Sequence, residues 1–295
     1  MSTMPNRIEI PLDASRLPMT LPRLAEMKRL GEPIVMVTAY DFPSALAAEK
    51  AGVDMVLVGD SGAMTVLGYD STVPVELDEI LMLAKAARRG LSSPFLVGDL
   101  PFGSYEVSDE QAVTTALRFV KEAGCAAVKL EGGGPTSVAR ARAISSAGIP
   151  VMGHVGLTPQ TSTALGGYRA QGKTAEQALL IRDQAIALQQ AGCFSIVFEA
   201  IPSELAAEIM PRISVPVIGI GAGGGVDGQV LVFHDLLGIR EGIGARFVKR
   251  YANILDEMVD GVSAFADDVR DRSFPGPEHG YSIDYDELTA FRGER

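Results

Sequence analysis

The run from Phe95 to Gly133, FLVGDLPFGSYEVSDEQAVTTALRFVKEAGCAAVKLEGG, reads as strand, loop, helix and strand. Phe95–Asp99 is an apolar run of strand length that closes on an acid. After a glycine-containing loop, Ser108 and Gln111 form a capping-box pattern ahead of apolar residues at helical spacing, and Gly124 follows the last of them. Ala126–Leu130 is again apolar and of strand length, with Lys129 and Glu131 at its end. Neither run alternates polar with apolar residues, which suits parallel strands covered on both faces.

The same unit recurs on both sides. Strand-like runs fall at Ile34–Thr38, Met55–Gly59, Phe95–Asp99, Ala126–Leu130, Ile149–Gly153, Ser195–Phe198, Val215–Ile220 and Val230–Phe233. Helical patterns lie between them at Glu76–Arg89, Ser108–Ala123, Pro135–Ala147, Ala175–Ala191 and Ser203–Ile213, with Thr174 as a further start signal. Unbroken alternation argues for one parallel sheet, and eight runs is the number that closes a barrel, although a doubly wound open sheet alternates in the same way. The expected fold class is therefore α/β, a single-domain (β/α)8 TIM barrel over 34–270. A capped helix from Thr20 to Gly31 would form a lid over the barrel bottom, within an arm and capping segment spanning 1–33. A helical extension is expected over Ala245–Asp268, and the proline- and glycine-rich tail after it, within 271–295, should be extended.

Composition narrows the function. Of 295 residues 47% are hydrophobic and 21% charged, ample for one large core. Lysine and arginine number 26 against 37 acids, a formal charge of −11 that repels phosphate backbones, so no nucleic-acid partner is expected. No run has the length of a membrane span, and the residues up to Leu24 lack the apolar stretch of a secretory signal, so the expectation is a cytoplasmic protein with no membrane partner. Cys125 and Cys193 lack metal-type spacing and read as buried free thiols.

In an α/β barrel the chemistry gathers at the C-terminal ends of the strands. Those ends carry Asp60 with Ser61, Asp99, Lys129 with Glu131, His154 and Glu199. Each has a structural alternative: an acid after a strand can cap a helix, Lys129 can pair with Glu131 across a pleat, and His154 can be a core histidine. Taken one at a time, only Glu199 stands out, because it follows the apolar Ile196-Val-Phe198. Taken together, so many charges at one rim cost desolvation energy unless paired or metal-bound. An oxygen-only donor set favours a hard cation such as Mg²⁺, with Asp60 and Asp99 as direct ligands and Glu131 direct or through water.

Two other motifs carry less. Gly59-Asp-Ser-Gly62 looks like a serine-protease nucleophile segment, but all three histidines follow Ser61 and the strand pattern is wrong for that class. Gly219-Ile-Gly-Ala-Gly-Gly224 fits a dinucleotide pattern, yet it sits at the seventh strand with no clear helix behind it, so a tight barrel-mouth loop is expected.

At these residues the chain resembles the ketopantoate hydroxymethyltransferase family. The resemblance rests on Val37-Thr-Ala-Tyr-Asp41, Val58-Gly-Asp-Ser61, Asp70-Ser-Thr-Val-Pro74, Gly98-Asp-Leu-Pro-Phe102, Val128-Lys-Leu-Glu-Gly-Gly133, Gly153-His-Val-Gly-Leu-Thr-Pro-Gln160, Gly166-Gly-Tyr-Arg-Ala-Gln-Gly172, Pro216–Gly223 and Asp227–Val232, in family order. The chain departs from the family at Gly62-Ala63-Met64, where Leu-Gly-Met is usual, and at Phe198-Glu-Ala-Ile-Pro202.

The resemblance implies transfer of a hydroxymethyl group from the co-substrate 5,10-methylenetetrahydrofolate to the small 2-oxo acid 3-methyl-2-oxobutanoate, in pantothenate and coenzyme A synthesis. It implies Mg²⁺ held by Asp60, Asp99 and Glu131, substrate contacts from Ser61 and Lys129 with His154 nearby, and Glu199 as general base. A homo-oligomer, a decamer by resemblance, is also implied. The rival enzyme reading is a metal-dependent lyase or mutase of the phosphoenolpyruvate mutase and isocitrate lyase type, whose Lys-Lys-Cys-Gly-His loop has no counterpart here.

Overall fold

The structure, a computed structural model, describes residues 16–240, 242 and 244–293, so most of the expected N-terminal arm lies outside the described residues. In order the elements are α1 (Leu21–Leu30), β1 (Ile34–Thr38), α2 (Phe42–Ala51), β2 (Met55–Val58), α3 (Gly62–Thr65), α4 (Leu77–Arg88), β3 (Phe95–Asp99), α5 (Asp109–Ala123), β4 (Ala127–Lys129), α6 (Pro135–Ser146), β5 (Val151–Gly156), α7 (Ala175–Gln190), β6 (Ser195–Glu199), α8 (Ser203–Ile209), β7 (Val217–Ile220), β8 (Gly228–Leu231), α9 (Phe233–Leu237), α10 (Ile254–Arg270) and α11 (Tyr285–Arg292). The strands pair in parallel and in sequence order, and β8 returns to β1, so the sheet closes into a (β/α)8 TIM barrel. Among the described residues no helix is long and apolar enough to cross a membrane.

Strand pleating sorts the apolar runs into two cores. Side chains alternate across a strand. Met36, Met55, Leu57, Phe95, Val97, Ala127, Met152, Val197, Ile218 and Val230 fill the barrel interior. Their sequence neighbours, such as Leu96, Val128, Val151, Ile196 and Phe198, face the helices. Leu24 and Met27 of α1 join the interior cluster, so this helix plugs the end of the barrel opposite the strand C-termini. Thr20 caps it by accepting from the Arg23 N–H, and the chain turns out of it at Gly31.

Several boundaries differ from those the sequence suggests. β5 starts two residues later, because Ile149 and Pro150 lead into it, and ends three later, so His154 lies within the strand. β8 starts at Gly228 and ends at Leu231, and Phe233 opens α9 instead. At Ser108 the hydroxyl caps α5, but Gln111 Oε1 accepts from Val107 N rather than from the cap residue, so the box is not reciprocal. The helix expected over Ala245–Asp268 forms only from Ile254, with 244–253 irregular. The tail is not wholly extended: a 3-10 turn at Pro277–His279 precedes α11, which Asp284 caps through Asp286 N.

Candidate active site

The alternation that fills the barrel with apolar groups also selects the site. On β3, Phe95 and Val97 point inward at the bottom, so Asp99 points inward at the top. Two-residue steps lead likewise from Ala127 to Lys129 and Glu131, from Met152 to His154, and from Val197 to Glu199. These groups share one cavity of about 350 Å³ at the barrel mouth, together with Asp60 and Ser61 from the end of β2. The structure thus brings together every candidate site residue.

Asp99 and Lys129 are register partners on β3 and β4, and Lys129 Nζ donates to both carboxylate oxygens at 2.8 and 2.9 Å. Glu131 is 3.7 Å from the same ammonium, so the lysine's main partner is Asp99 rather than the Glu131 partner considered from sequence. Asp60 sits beside the pair, its backbone N–H donating to Asp99 Oδ2 at 3.3 Å. Ser61 Oγ is 2.9 Å from the Tyr40 hydroxyl. Gly62 has no room for a side chain there: a Cβ would stand 2.7 Å from the Tyr40 ring and 2.9 Å from Leu83. The departure from Leu at this position is matched by that tight packing.

His154 lies between two carboxylates, Nε2 3.2 Å from Glu199 Oε2 and Nδ1 3.6 Å from Glu131 Oε1. Neither contact has the direction of a good hydrogen bond, and both ring nitrogens remain buried without a partner, as does Thr72 Oγ1 at the same cavity. Glu199 is set by its backbone. Ala200, the next residue, holds a left-handed φ of 48°, a conformation that costs roughly 1–3 kcal/mol and concentrates at functional sites. Opposite it Gly156, at φ 101°, admits the Glu199 carbonyl, which a Cβ would meet at 2.2 Å.

Burial and crowding of like charge dominate the electrostatics. Burial, and then the Asp99 carboxylate, push Asp60 up to about 7 against the pull of Lys129. Burial likewise raises Glu131 well above the ordinary carboxylate range, with Asp60, Asp99 and Glu199 adding to it and Lys129 opposing. For Lys129 burial opposes the charge, but Asp99, Glu131 and Asp60 outweigh it and the ammonium is raised. Burial and Lys129 lower His154, which is therefore neutral around pH 7.

Three buried carboxyl groups face one ammonium, a crowding that raises the proton affinity of Asp60 and Glu131 and that a divalent cation would relieve, and the donors are oxygens of the kind Mg²⁺ takes. The residues therefore fit such an ion. Among the described residues, however, no three His, Cys, Asp or Glu side chains form a single metal-binding set. Direct ligation by Asp60, Asp99 and Glu131 together is thus not the geometry present. Glu131 instead accepts from Gln160 N at 3.0 Å.

Several groups that line the cavity or hold its residues from behind escaped sequence reading. Tyr40, Thr72, Tyr105 and Gln160 belong to motifs quoted above or lie next to them, but their chemistry gave no reason to single them out. Asp235 and Arg240, paired at 3.2 Å, reach the cavity from beyond β8, as does Phe247 from the segment expected to be helical. The glycine-rich run after β7 leads to β8, not to a helix, and Gly221 packs where a Cβ would lie 2.5 Å from Phe247. It is a barrel-mouth loop.

The family model described as ketopantoate hydroxymethyltransferase matches residues 18–277. A 3-methyl-2-oxobutanoate hydroxymethyltransferase of Geobacillus kaustophilus is 50% identical, over 90% of this chain and 95% of its own. One from Moorella thermoacetica is 51% identical over 91% and 99%. The Arabidopsis thaliana enzyme named 3-methyl-2-oxobutanoate hydroxymethyltransferase 1, mitochondrial, is 48% identical over 93% and 81%. Among solved structures, phosphonopyruvate hydrolase in complex with oxalate and Mg²⁺ aligns with a TM-score of 0.58 at 14% identity, covering 94% of this chain and 95% of that one. Phosphoenolpyruvate phosphomutase of Streptomyces platensis subsp. rosaceus aligns at 0.55 and 15%, covering 91% and 95%. At such identities these two share the fold and carry no argument for the rival lyase or mutase activity.

Proposed function

The chain belongs to the ketopantoate hydroxymethyltransferase family, and we propose that its barrel mouth carries out that family's reaction with the residues gathered there. The reaction joins a one-carbon unit to C3 of 3-methyl-2-oxobutanoate and gives 2-dehydropantoate, a precursor of pantothenate. The one-carbon donor is 5,10-methylenetetrahydrofolate, with water supplying the hydroxyl oxygen and tetrahydrofolate leaving. The observation that carries this reading is the convergence of Asp60, Asp99, Lys129, Glu131, His154 and Glu199 on one cavity from five successive strand ends.

Asp60 and Asp99 would hold Mg²⁺, with Glu131 acting through water. Bound there, the ion supplies Lewis-acid charge that stabilises negative charge developing on the keto group. Lys129, kept protonated by its carboxylate neighbours, adds fixed positive charge at the same place. Ser61 Oγ, held by Tyr40, is a hydrogen-bonding group for the substrate. Glu199, set by its backbone, moves the proton, either from C3 or to the departing folate nitrogen, with neutral His154 beside it.

Assembly as a homo-oligomer, with ten subunits by family resemblance, fits the outer surface. α10 exposes Met258, Val262, Phe265 and Val269, one stripe at helical spacing. A second apolar surface, a groove of about 440 Å³ lined by Val35, Val37, Leu231, Leu236 and Tyr251, runs over the outside of β1 and β8. Such patches mark interfaces in soluble proteins. A reducing compartment such as the cytoplasm suits the two buried free thiols.

Release of tetrahydrofolate on adding 3-methyl-2-oxobutanoate, 5,10-methylenetetrahydrofolate and Mg²⁺ tests the reaction. Purified protein that releases none, and that washes no deuterium into C3 of the oxo acid in D₂O, would refute it.

A further inference from the structure

Gln160 lies in the 3-10 turn Pro159–Thr161 after β5 and is only 3% exposed. Its side-chain amide has every polar atom engaged. The Tyr105 hydroxyl donates to Gln160 Oε1 at 2.7 Å, while Nε2 donates to Leu100 O at 2.9 Å and to Asp60 Oδ2 at 3.0 Å. Tyr105 has one proton to give, and Gln160 Oε1 is the nearer of its two acceptors, the Glu131 carbonyl lying at 3.4 Å, while its oxygen accepts from Glu131 N at 3.3 Å. Turning the amide over would set Oε1 against a carbonyl and a carboxylate. Two matched contacts would become mismatches, and the tyrosine would have to turn to its more distant acceptor. The orientation of the amide is therefore determined, and Asp60 Oδ2 is committed to it as acceptor, leaving Oδ1 for a ligand. The same residue's backbone N–H holds Glu131 Oε2 at 3.0 Å. One buried residue thus sets both carboxylates that flank the Asp99–Lys129 pair.

We propose that Gln160, oriented by Tyr105, is a positioning residue that fixes which oxygen of Asp60 faces a divalent cation and thereby sets the cation affinity of the site. The proposal rests on the reading of Asp60 as a ligand, but not on the identity of the organic substrates. Groups that orient metal-binding side chains typically contribute roughly 10–100-fold to metal affinity. Gln160→Met keeps the length of the side chain and removes both its hydrogen-bonding functions, and Tyr105→Phe leaves the amide in place but removes its Oε1 partner, together with the acceptor of Glu131 N.

The test is calorimetric titration with Mg²⁺ alone, supported by kcat measured against Mg²⁺ concentration. Gln160→Met should raise the Mg²⁺ Kd by about tenfold or more, with kcat recovering as Mg²⁺ is raised. Tyr105→Phe should shift Kd the same way by less. A folded Gln160→Met protein with the parent Kd would overturn the proposal. Should that variant fail to fold, an unchanged Kd in Tyr105→Phe would do so, and so would a parent protein that binds no Mg²⁺. A parent protein that binds Mg²⁺ but releases no tetrahydrofolate would end the proposed reaction and leave this inference standing.

Discussion

Asp99 and Lys129 occupy opposed positions on β3 and β4, and the ammonium spans both carboxylate oxygens at 2.8 and 2.9 Å with each side chain almost wholly buried. Removing one member of such a pair strands the other charge in a low-dielectric interior, at a cost of about 3–5 kcal/mol. Lys129→Met should lower the unfolding free energy by that order in urea titrations at pH 8, and abolish turnover. Adding Asp99→Asn should cost less than the sum of the two single changes, because the second no longer strands a charge. Strict additivity would show that the contact is not a working ion pair.

Glu199 lines the same cavity but touches His154 rather than Lys129 or either aspartate. Glu199→Gln keeps the shape and removes the proton acceptor. It should reduce kcat by about 10²–10⁴-fold, the usual worth of general acid–base catalysis, while leaving the Mg²⁺ Kd unchanged. Deuterium exchange at C3 separates the two proton roles: exchange lost with turnover places Glu199 at C3, and exchange retained places it at the folate nitrogen. Full turnover in this variant would remove the residue from the mechanism.

The fold was legible because a parallel barrel writes itself as short apolar runs alternating with amphipathic helices, and all eight runs overlap the observed strands. Closure was not legible, since an open sheet has the same local pattern and only the β8–β1 register distinguishes them. The charged site residues could be read because they stand where apolar residues should continue: Asp99 follows Val97 and Glu199 follows Val197 at the two-residue step that points into the barrel. Gln160 and Tyr105 could not, for they lie on loops, where no periodicity says which way a side chain faces. The segment before α10 was misread because Ala245–Val248 has helical composition but forms loop beside the cavity, with Phe247 packed against the Gly221 turn.

On α10 the residues Met258 and Val262 are 51% and 69% exposed, so a charge at either is compatible with the fold of one chain. If the stripe is covered in an assembly, Met258→Glu with Val262→Glu should produce smaller species by sedimentation velocity while circular dichroism stays unchanged. An unaltered sedimentation coefficient would exclude this face from the interface.

Cys125 and Cys193 supply a pH test independent of the site. Burial pushes both thiols up to about 12, with Arg88 opposing slightly at Cys125. In the unfolded chain a cysteine ionises near about 8.5. A folded-state value above the unfolded one means that protons bind the native protein more tightly. The resulting stabilisation is complete below about pH 8 and disappears as the pH climbs toward 12. At pH 8 the native protein should therefore resist a thiol reagent such as dithionitrobenzoate, and both cysteines should react once it is unfolded in guanidinium. The cost of Cys125→Ala, read from denaturation at successive pH values, should shrink between pH 8 and pH 11, because the parent thiol loses its advantage over that window. A cost that is flat across it, or prompt reaction of the native thiols at pH 8, would mean that these side chains are not sealed beneath the helices that cover β4 and β6.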